Sequence, residues 1–489
     1  MKTHSNSAIE GFADPGIVKS SAYINGEWWH CDETFSVNNP ADGSWIADVC
    51  AVSSKDSADV VTVAHAAFPA WAALLPQERS AILFRWFSLV RDHVEDLALL
   101  MTLEQGKPIS ESRGEIDYGA AFIEFFAEQA KRPDIMSVTS HLPNAEVEVW
   151  LEPVGVAALI TPWNFPIAMI TRKAAAALAV GCTVMIHPSK ETPLSALALA
   201  ELADRAGFPP GVFNVVPGEA AEVVGPWTAD KRVRAVSFTG STEVGRLLYG
   251  QCAPTIKRLS LELGGHAPFI VFSDADMDKA VDEAISAKFA TSGQDCLGAN
   301  RFYVQGPVYE EFCQKFVAKT KQLSIGPGID DLDLGPLMNE RAVVKQLEHV
   351  EDAVANGASL VCGGNRLDLG PLFFAPTVLI GVPVTAKIMS EETFGPVAAI
   401  APFDDEDAVI KLANDTEYGL MAYLHTKDPS RIYRVSRALE FGMIGVNRTK
   451  VTGAPIPFGG MKQSGLGREG SQHGIEAFSD IKYVCRDWA

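Results

Sequence analysis

Between residues 155 and 251 short β-rich runs alternate with helical stretches, and this alternation restricts the fold more than any other feature of the chain. The runs cover 156–160, 183–187, 212–216 and 234–238, and the stretches cover 167–180, 193–206, 220–228 and 241–251. Such alternation predicts a parallel sheet with helices on its faces, and ligands bound at the C-terminal ends of its strands. After Gly264-Gly265 the rhythm returns less regularly. Strands are expected near 269–272, 301–304 and 397–401, and helices near 308–322, 342–356 and 405–414. The fold class is therefore α/β. Ahead of these regions, 57–71, 77–102 and 115–130 have the apolar spacing of helices that cover another layer. Tyr23-Ile24-Asn25-Gly26-Glu27-Trp28 carries the Asn-Gly signature of a tight hairpin. Residues 146–152 alternate with period two, as an edge strand or one that pairs across a subunit boundary. Residues 478–488 read as a closing strand.

A length of 489 residues suggests two or three structural units. The net charge of −20 disfavours nucleic acid and anionic membrane surfaces, so an anionic ligand needs a local basic site. The longest apolar run, 174–186, is too short to span a bilayer. Met1-Lys2-Thr3-His4-Ser5-Asn6 opens no apolar signal core. The eight cysteines (31, 50, 182, 252, 296, 313, 362 and 485) include no C-x-x-C pair. They fit neither a disulfide framework nor a zinc site, and a reducing, cytoplasmic compartment is expected.

Four places could carry chemistry. Cys296 lies in Thr291-Ser292-Gly293-Gln294-Asp295-Cys296-Leu297-Gly298, a small and polar loop after a helical stretch at 276–290. A thiol in such a loop can be reached by a substrate, whereas one in an apolar helix is usually inert. Thr161-Pro162-Trp163-Asn164-Phe165-Pro166 follows a strand end, and its stiff turn would aim Asn164 at the ligand side of the sheet. That amide could donate to an oxyanion, or merely cap the next helix. Phe238-Thr239-Gly240-Ser241 joins a strand to a helix start, where phosphate binds readily, though it matches neither standard nucleotide fingerprint. Glu262 sits in an apolar strand ending at Gly264-Gly265. Burial there would raise its pKa and suit it to general-base work; an ion-paired strand residue is the alternative.

These segments occur in order with Gly293-Gln294-x-Cys296, Glu392-x-Phe394-Gly395-Pro396 and Pro457-Phe458-Gly459-Gly460. From about residue 20 onward the chain closely resembles the aldehyde dehydrogenase superfamily. The resemblance implies two open parallel α/β domains plus a β oligomerisation arm. It divides the chain into an NAD(P)-binding domain (20–134 and 153–264), a catalytic domain (265–465) and an arm (135–152 and 475–489). It implies Cys296 as the nucleophile, and Asn164 with the Cys296 N–H as holders of the oxyanion. Glu262 would activate water, and Lys173 would lie near the ribose and the proton path. Thr161, Pro162, Trp163, His187, Ser189, Lys190, Gly240, Ser241, Leu263, Glu392 and Phe394 would bind the cofactor. A homodimer or homotetramer is expected, acting on a small-molecule aldehyde.

Four departures from the family pattern bear on cofactor and substrate. Family members commonly carry Lys-Pro-Ser-Glu at the adenosine ribose, where this chain has His187-Pro188-Ser189-Lys190. A carboxylate there repels a 2′-phosphate and a lysine attracts it, so NADP is expected in preference to NAD. Residues 168–173, 299–305 and 461–470 most resemble the succinate-semialdehyde branch, in which Arg172 matches an arginine that grips the distal carboxylate. A second arginine of that branch is Ala290 here, and a redox-regulating cysteine found in some members is Gly298. The anchor loop, Asn447-Arg448-Thr449-Lys450-Val451-Thr452-Gly453, places Thr452 at the usual serine. Arg448 or Lys450 could replace the missing cation, or both could simply face solvent. Succinate semialdehyde is thus expected, with glutarate semialdehyde, 3-sulfolactaldehyde or a broader aldehyde range as alternatives. A CoA-acylating enzyme and a non-catalytic binding protein are the rivals from other classes. Asp295 should raise the pKa of the neighbouring thiol unless it points away or pairs with a cation.

Overall fold

The computed structural model describes residues 11–132 and 135–487. The N-terminal Met1–Asn6, residues 133–134 of the expected first segment and residues 488–489 of the expected closing strand lie outside the described residues.

The first sheet has eight strands. In spatial order they are Gly465–Leu466, Arg258–Glu262, Val233–Thr239, Val156–Ile160, Thr183–His187, Phe213–Val215, Ala22–Ile24 and Glu27–Trp29. The central strands pair parallel, as alternation with helices requires. Both edges are antiparallel, which the expectation of a purely parallel sheet did not include. One edge is the predicted hairpin. Asn25 (φ 56°) and Gly26 (φ 79°) both take left-handed backbone, the twist that a two-residue connection needs.

Val156–Ile160 is buried along its whole length, as expected for a strand covered on both faces. The helix Ala168–Val180 packs its alanine-rich surface between this sheet and the helix Ile109–Gln129. At Gly119 an added Cβ would lie 3.2 Å from the Ala168 Cα, so the two backbones meet where neither carries bulk.

The second sheet has seven strands, in the order Ser359–Cys362, Thr377–Ile380, Val397–Phe403, Ala299–Gln305, Ala267–Val271, Met421–His425 and Met443–Val446. All pairs are parallel except the one at the Ser359–Cys362 edge. Ser479–Asp487, Ala145–Pro153 and Ile135–Val138 form a separate antiparallel sheet. It carries Ile481, Tyr483 and Met136 largely exposed.

Two expectations need correction. The single helix predicted over 77–102 is two helices, Pro76–Asp92 and Val94–Gln105. The backbone leaves the helix at His93 (φ −108°, ψ 23°), whose ring bonds the Leu89 carbonyl at 2.7 Å. The cysteines are not all free either. The antiparallel pair Thr34–Asn38 and Trp45–Cys50 brings Cys50 opposite Thr34, and Cys31 bonds to Cys50 as a disulfide with a Cα–Cα distance of 5.1 Å. A separation of 19 residues in sequence gave no cue to that pairing. Among the described residues no single helix is long and apolar enough to cross a membrane.

Candidate active site

The loop that carries Cys296 begins where the helix Met277–Phe289 stops. Thr291 (φ 50°) and Ser292 (φ 56°) both adopt left-handed backbone, which non-glycine residues avoid unless their surroundings hold them there. The surroundings do so. Glu111 accepts the Thr291 N–H at 2.9 and 3.1 Å, and Ser292 Oγ donates to the Gly335 carbonyl at 2.9 Å. Gln294 Oε1 accepts from the Met338 N–H at 2.8 Å. At Gly265 an added Cβ would lie 2.4 Å from the Cys296 carbonyl oxygen, so only glycine lets that strand end pass the loop. Cys296 and Asp295 are left half-buried beside one another.

Asn164 faces this loop. Its Nδ2 donates to the Gln294 carbonyl at 3.0 Å. It does not cap the following helix, whose first N–H groups, Ile167 and Ala168, are taken by Glu115 Oε1 at 2.9 and 3.1 Å.

Glu262 ends its strand only 2% exposed, and neither carboxylate oxygen has a hydrogen-bond partner. Gly459 leaves room for it, since an added Cβ would lie 2.8 Å from Glu262 Oε1. Burial, reinforced by Glu469, pushes the Glu262 carboxyl well above the ordinary carboxylate range, against the pull of Arg172 and Lys173. Those two cations are claimed by another acid. Arg172 Nε donates to Glu469 Oε2 at 2.6 Å, Lys173 Nζ pairs with Glu469 Oε1, and Ser237 Oγ donates to the same oxygen at 3.1 Å. Lys173 Nζ also donates to Thr239 Oγ1 at 2.7 Å. Burial opposes a charge on Glu469, but Lys173 and Arg172 outweigh it and hold the carboxyl below its usual value. Glu469 joins the site although the sequence did not single it out: it stands in the glycine-rich stretch 461–470, and nothing local names its partners.

On the cofactor side Glu392 Oε1 accepts the Gly265 N–H at 2.8 Å, and burial pushes its carboxyl up to about 7. The Phe394 ring meets Trp163 edge-on at 5.6 Å. Gly240 and Ser241 form the strand-to-helix turn, with Ser241 Oγ accepting from the Val244 N–H at 3.3 Å. Leu263 packs against Gly245, where an added Cβ would lie 2.4 Å from its Cδ2. Thr161 Oγ1 is buried without a partner beside Pro162. Buried His187 gives its Nδ1 to the Val216 carbonyl at 3.0 Å. Lys190 is not the free cation that its sequence position suggested. Its ammonium pairs with Glu219 and sits 5.0 Å from the Phe35 ring centroid, while Ser189 Oγ donates to Glu191.

On the substrate side the Arg172 guanidinium is buried 4.0 Å from the Phe458 ring centroid. Its Nη1 has no hydrogen-bond partner. Burial pushes the Tyr118 phenol up, and the nearby Arg172 and Thr452 oppose that rise. Arg448 and Lys450 are not gathered with these groups. Both are exposed and line a surface groove of about 490 Å³ with Lys279, Asp282, Glu283 and Ser286. The reason is local. Glu283 accepts the Thr449 N–H at 2.6 Å and also its hydroxyl, fixing the residue between them against the outer side of the helix.

Burial pushes the Cys296 thiol well above its ordinary 9.0, Asp295 and Glu392 add to the rise, and Arg172 opposes it. Asp295 Oδ1 accepts the Leu297 N–H at 3.0 Å, and among the described residues Asp295 takes no salt-bridge partner. Alkylation of Cys296 by iodoacetamide should therefore keep accelerating with pH to beyond about pH 9, as the thiolate fraction rises. Asp295→Asn removes a negative neighbour, lowers the thiol pKa, and should speed alkylation at neutral pH by about 3–10-fold. A rate unchanged by the substitution would contradict this electrostatic account.

The aldehyde dehydrogenase family model matches residues 28–484. An NADP-dependent succinate-semialdehyde dehydrogenase of Escherichia coli K12 is 51% identical over 475 residues, spanning 96% of this chain and 98% of its own. A non-phosphorylating aspartate-semialdehyde dehydrogenase of Halomonas elongata is 52% identical over 476 residues, spanning 97% of each. The crystal structure of succinate-semialdehyde dehydrogenase from Burkholderia pseudomallei superposes with a TM-score of 0.96 at 49% identity, covering 98% of this chain and 100% of that one. With its thiol, amide and unpaired carboxylate on the corresponding motifs, this chain belongs to the aldehyde dehydrogenase family.

Proposed function

We propose that the protein oxidises a small aldehyde carrying a distal anion, succinate semialdehyde foremost, to the carboxylic acid with NADP in preference to NAD. The observation that carries the reading is the convergence of three groups. The Asn164 amide is bonded into the Cys296 loop, and Glu262, whose charge acts on the same thiol, is buried with both oxygens unpaired.

In this reading the Cys296 thiol passes its proton to water, and the thiolate sulfur attacks the aldehyde carbon. The carbonyl electron pair moves to oxygen, where the Asn164 amide and the Cys296 backbone N–H stabilise the negative charge. A nicotinamide cofactor, when bound, would supply the acceptor for the hydride that leaves this carbon, and Cys296 would be left as a thioester. Glu262 then takes a proton from water as the water attacks the thioester carbon, the C–S bond breaks, and the acid departs. A carboxylate whose proton affinity is raised by burial suits that step near neutral pH. Lys173 and Glu469 offer a polar path for the proton. Hydrolysis by Glu262, rather than transfer to a CoA thiol, separates this reading from the acylating rival.

The residues present fit a dinucleotide. Glu392 and Thr161 would hold the nicotinamide ribose side, Phe394 and Trp163 would pack near the ring, and the Gly240-Ser241 helix start would take the pyrophosphate. Lys190 and Ser189 would take the 2′-phosphate in exchange for their present carboxylate partners. The arm bearing exposed Ile481, Tyr483 and Met136 supports assembly as a homodimer or homotetramer. The boundaries at 134, 152, 264 and 465 and a cytoplasmic site of action belong to the same proposal.

The distal anion would bind the unpartnered Nη1 of Arg172, with Tyr118 and Thr452 beside it. One observation favours a second substrate. Asp295 is a carboxylate next to the nucleophile where no second arginine stands, Ala290 being neutral. Such a site accepts an aldehyde with an amino group beside its carboxylate, the substrate that the Halomonas relative is named for.

A panel of succinate, glutarate and aspartate semialdehydes, 3-sulfolactaldehyde and a neutral aldehyde, run with both cofactors, tests the reading. Arg172→Ala should raise KM for the anionic members by about 10–100-fold and spare the neutral one. Equal losses for both kinds would remove Arg172 as the anchor. Glu219→Gln should free Lys190 and raise kcat/KM for NADP over NAD by about 3–10-fold. An unaltered cofactor ratio would take Lys190 out of the selection.

A further inference from the structure

Three buried or half-buried side chains at the start of the helix Ile109–Gln129 have no part in the reaction described above. Lys107, 2% exposed, donates from Nζ to the Asn164 carbonyl at 2.6 Å and to Glu115 Oε2 at 2.6 Å. Its ammonium also lies 4.2 Å from the Phe165 ring centroid. The other oxygen of Glu115 receives the Ile167 and Ala168 N–H groups. Asn164, Ile167 and Ala168 of the oxyanion turn are thus fastened by hydrogen bonds to one helix end, and Phe165 by a ring contact. One helical turn earlier, on the same face, Glu111 receives the Thr291 N–H and holds the left-handed Thr291-Ser292 backbone that leads to Cys296. The amide donor and the nucleophile come from segments more than a hundred residues apart, yet both are referred to a single rigid element.

A buried ion pair is a weak source of stability, because desolvating both charges offsets most of their attraction. The geometry points instead to placement. We propose that Lys107, Glu115 and Glu111 are positioning residues that set the approach of Asn164 to Cys296. Lys107 and Glu115 fix the donor, and Glu111 fixes the nucleophile loop. The proposal rests on the reading of Asn164 as the oxyanion donor. Such donors act only within a few tenths of an ångström of about 2.9 Å from the charge they stabilise.

The test is a pair of mutant cycles in the full-length enzyme, with kcat, the KM for NADP and the melting temperature measured for each variant. Lys107→Met should lower kcat by about 10–100-fold and leave the KM for NADP within about twofold. In an Asn164→Ala background the same change should cost nothing further, because the donor it places is already gone. Glu111→Gln acts on the other partner and should still lower kcat in that background. Lys107→Arg, which keeps the cation, should recover most of the rate. Should Lys107→Met not fold, Glu115→Gln keeps the volume and carries the same prediction. Losses of Lys107→Met and Asn164→Ala that multiply would reduce Lys107 to general structural support and overturn the proposal. A kcat undiminished in Asn164→Ala itself would overturn the reading of Asn164, and this proposal with it.

Discussion

A single buried carboxylate decides the character of the catalytic cleft. Glu469 takes the charges of Arg172 and Lys173, two neighbouring cations on a fully enclosed helix, and Ser237 adds a further donor. Without it both cations would turn on Glu262 and hold it as a paired, weakly basic carboxylate. With it Glu262 stays unpaired and its proton affinity is high, because burial and the Glu469 charge outweigh the pull of Arg172, Lys173 and Arg468. The same carboxylate ties the C-terminal glycine-rich segment beneath the first sheet, because Glu469 lies nearly three hundred residues beyond its partners. Structural closure and chemical tuning are therefore one interaction here.

Around that centre the fold works by bringing strand ends and loops closer together than side chains would allow. The strands ending at Ile160, Thr239 and Glu262 run parallel and deliver Thr161, the Gly240-Ser241 turn and the Glu262 carboxylate to one edge of the sheet. Gly265 and Gly459 then let backbone pass within contact of Cys296 and Glu262. The Cys296 loop carries its own strain at Thr291 and Ser292, and hydrogen bonds from two separate segments, at Glu111 and at 335–338, hold it. A catalytic loop of this kind is kept in shape by its neighbours rather than by its own propensity.

Much of this was legible in the sequence, and the divide follows the range of the interaction. Runs such as 156–160 and 183–187 matched their strands to the residue, because four or five apolar or β-branched positions bounded by turn residues admit little else. Asn164, Glu262 and Cys296 stood out because each occurs in a local motif. The break at His93 was invisible, since apolar spacing continues through it and no glycine or proline marks it. Lys190 looked free because Glu219 is 29 positions away, and Arg448 looked like an anchor because nothing in its loop announces the pull of Glu283 on Thr449. Glu469, Lys107 and Cys31 were silent for the same reason. Their partners are set by the tertiary fold, which local pattern does not encode.

The most direct test of the whole account is rapid mixing of the Glu262→Gln enzyme with succinate semialdehyde and NADP, followed by mass spectrometry of the quenched protein. The account predicts one burst of NADPH per active site, a stall, and an acyl group on the peptide that contains Cys296. Steady turnover at the unmodified rate, or an acyl group on any other residue, would contradict it.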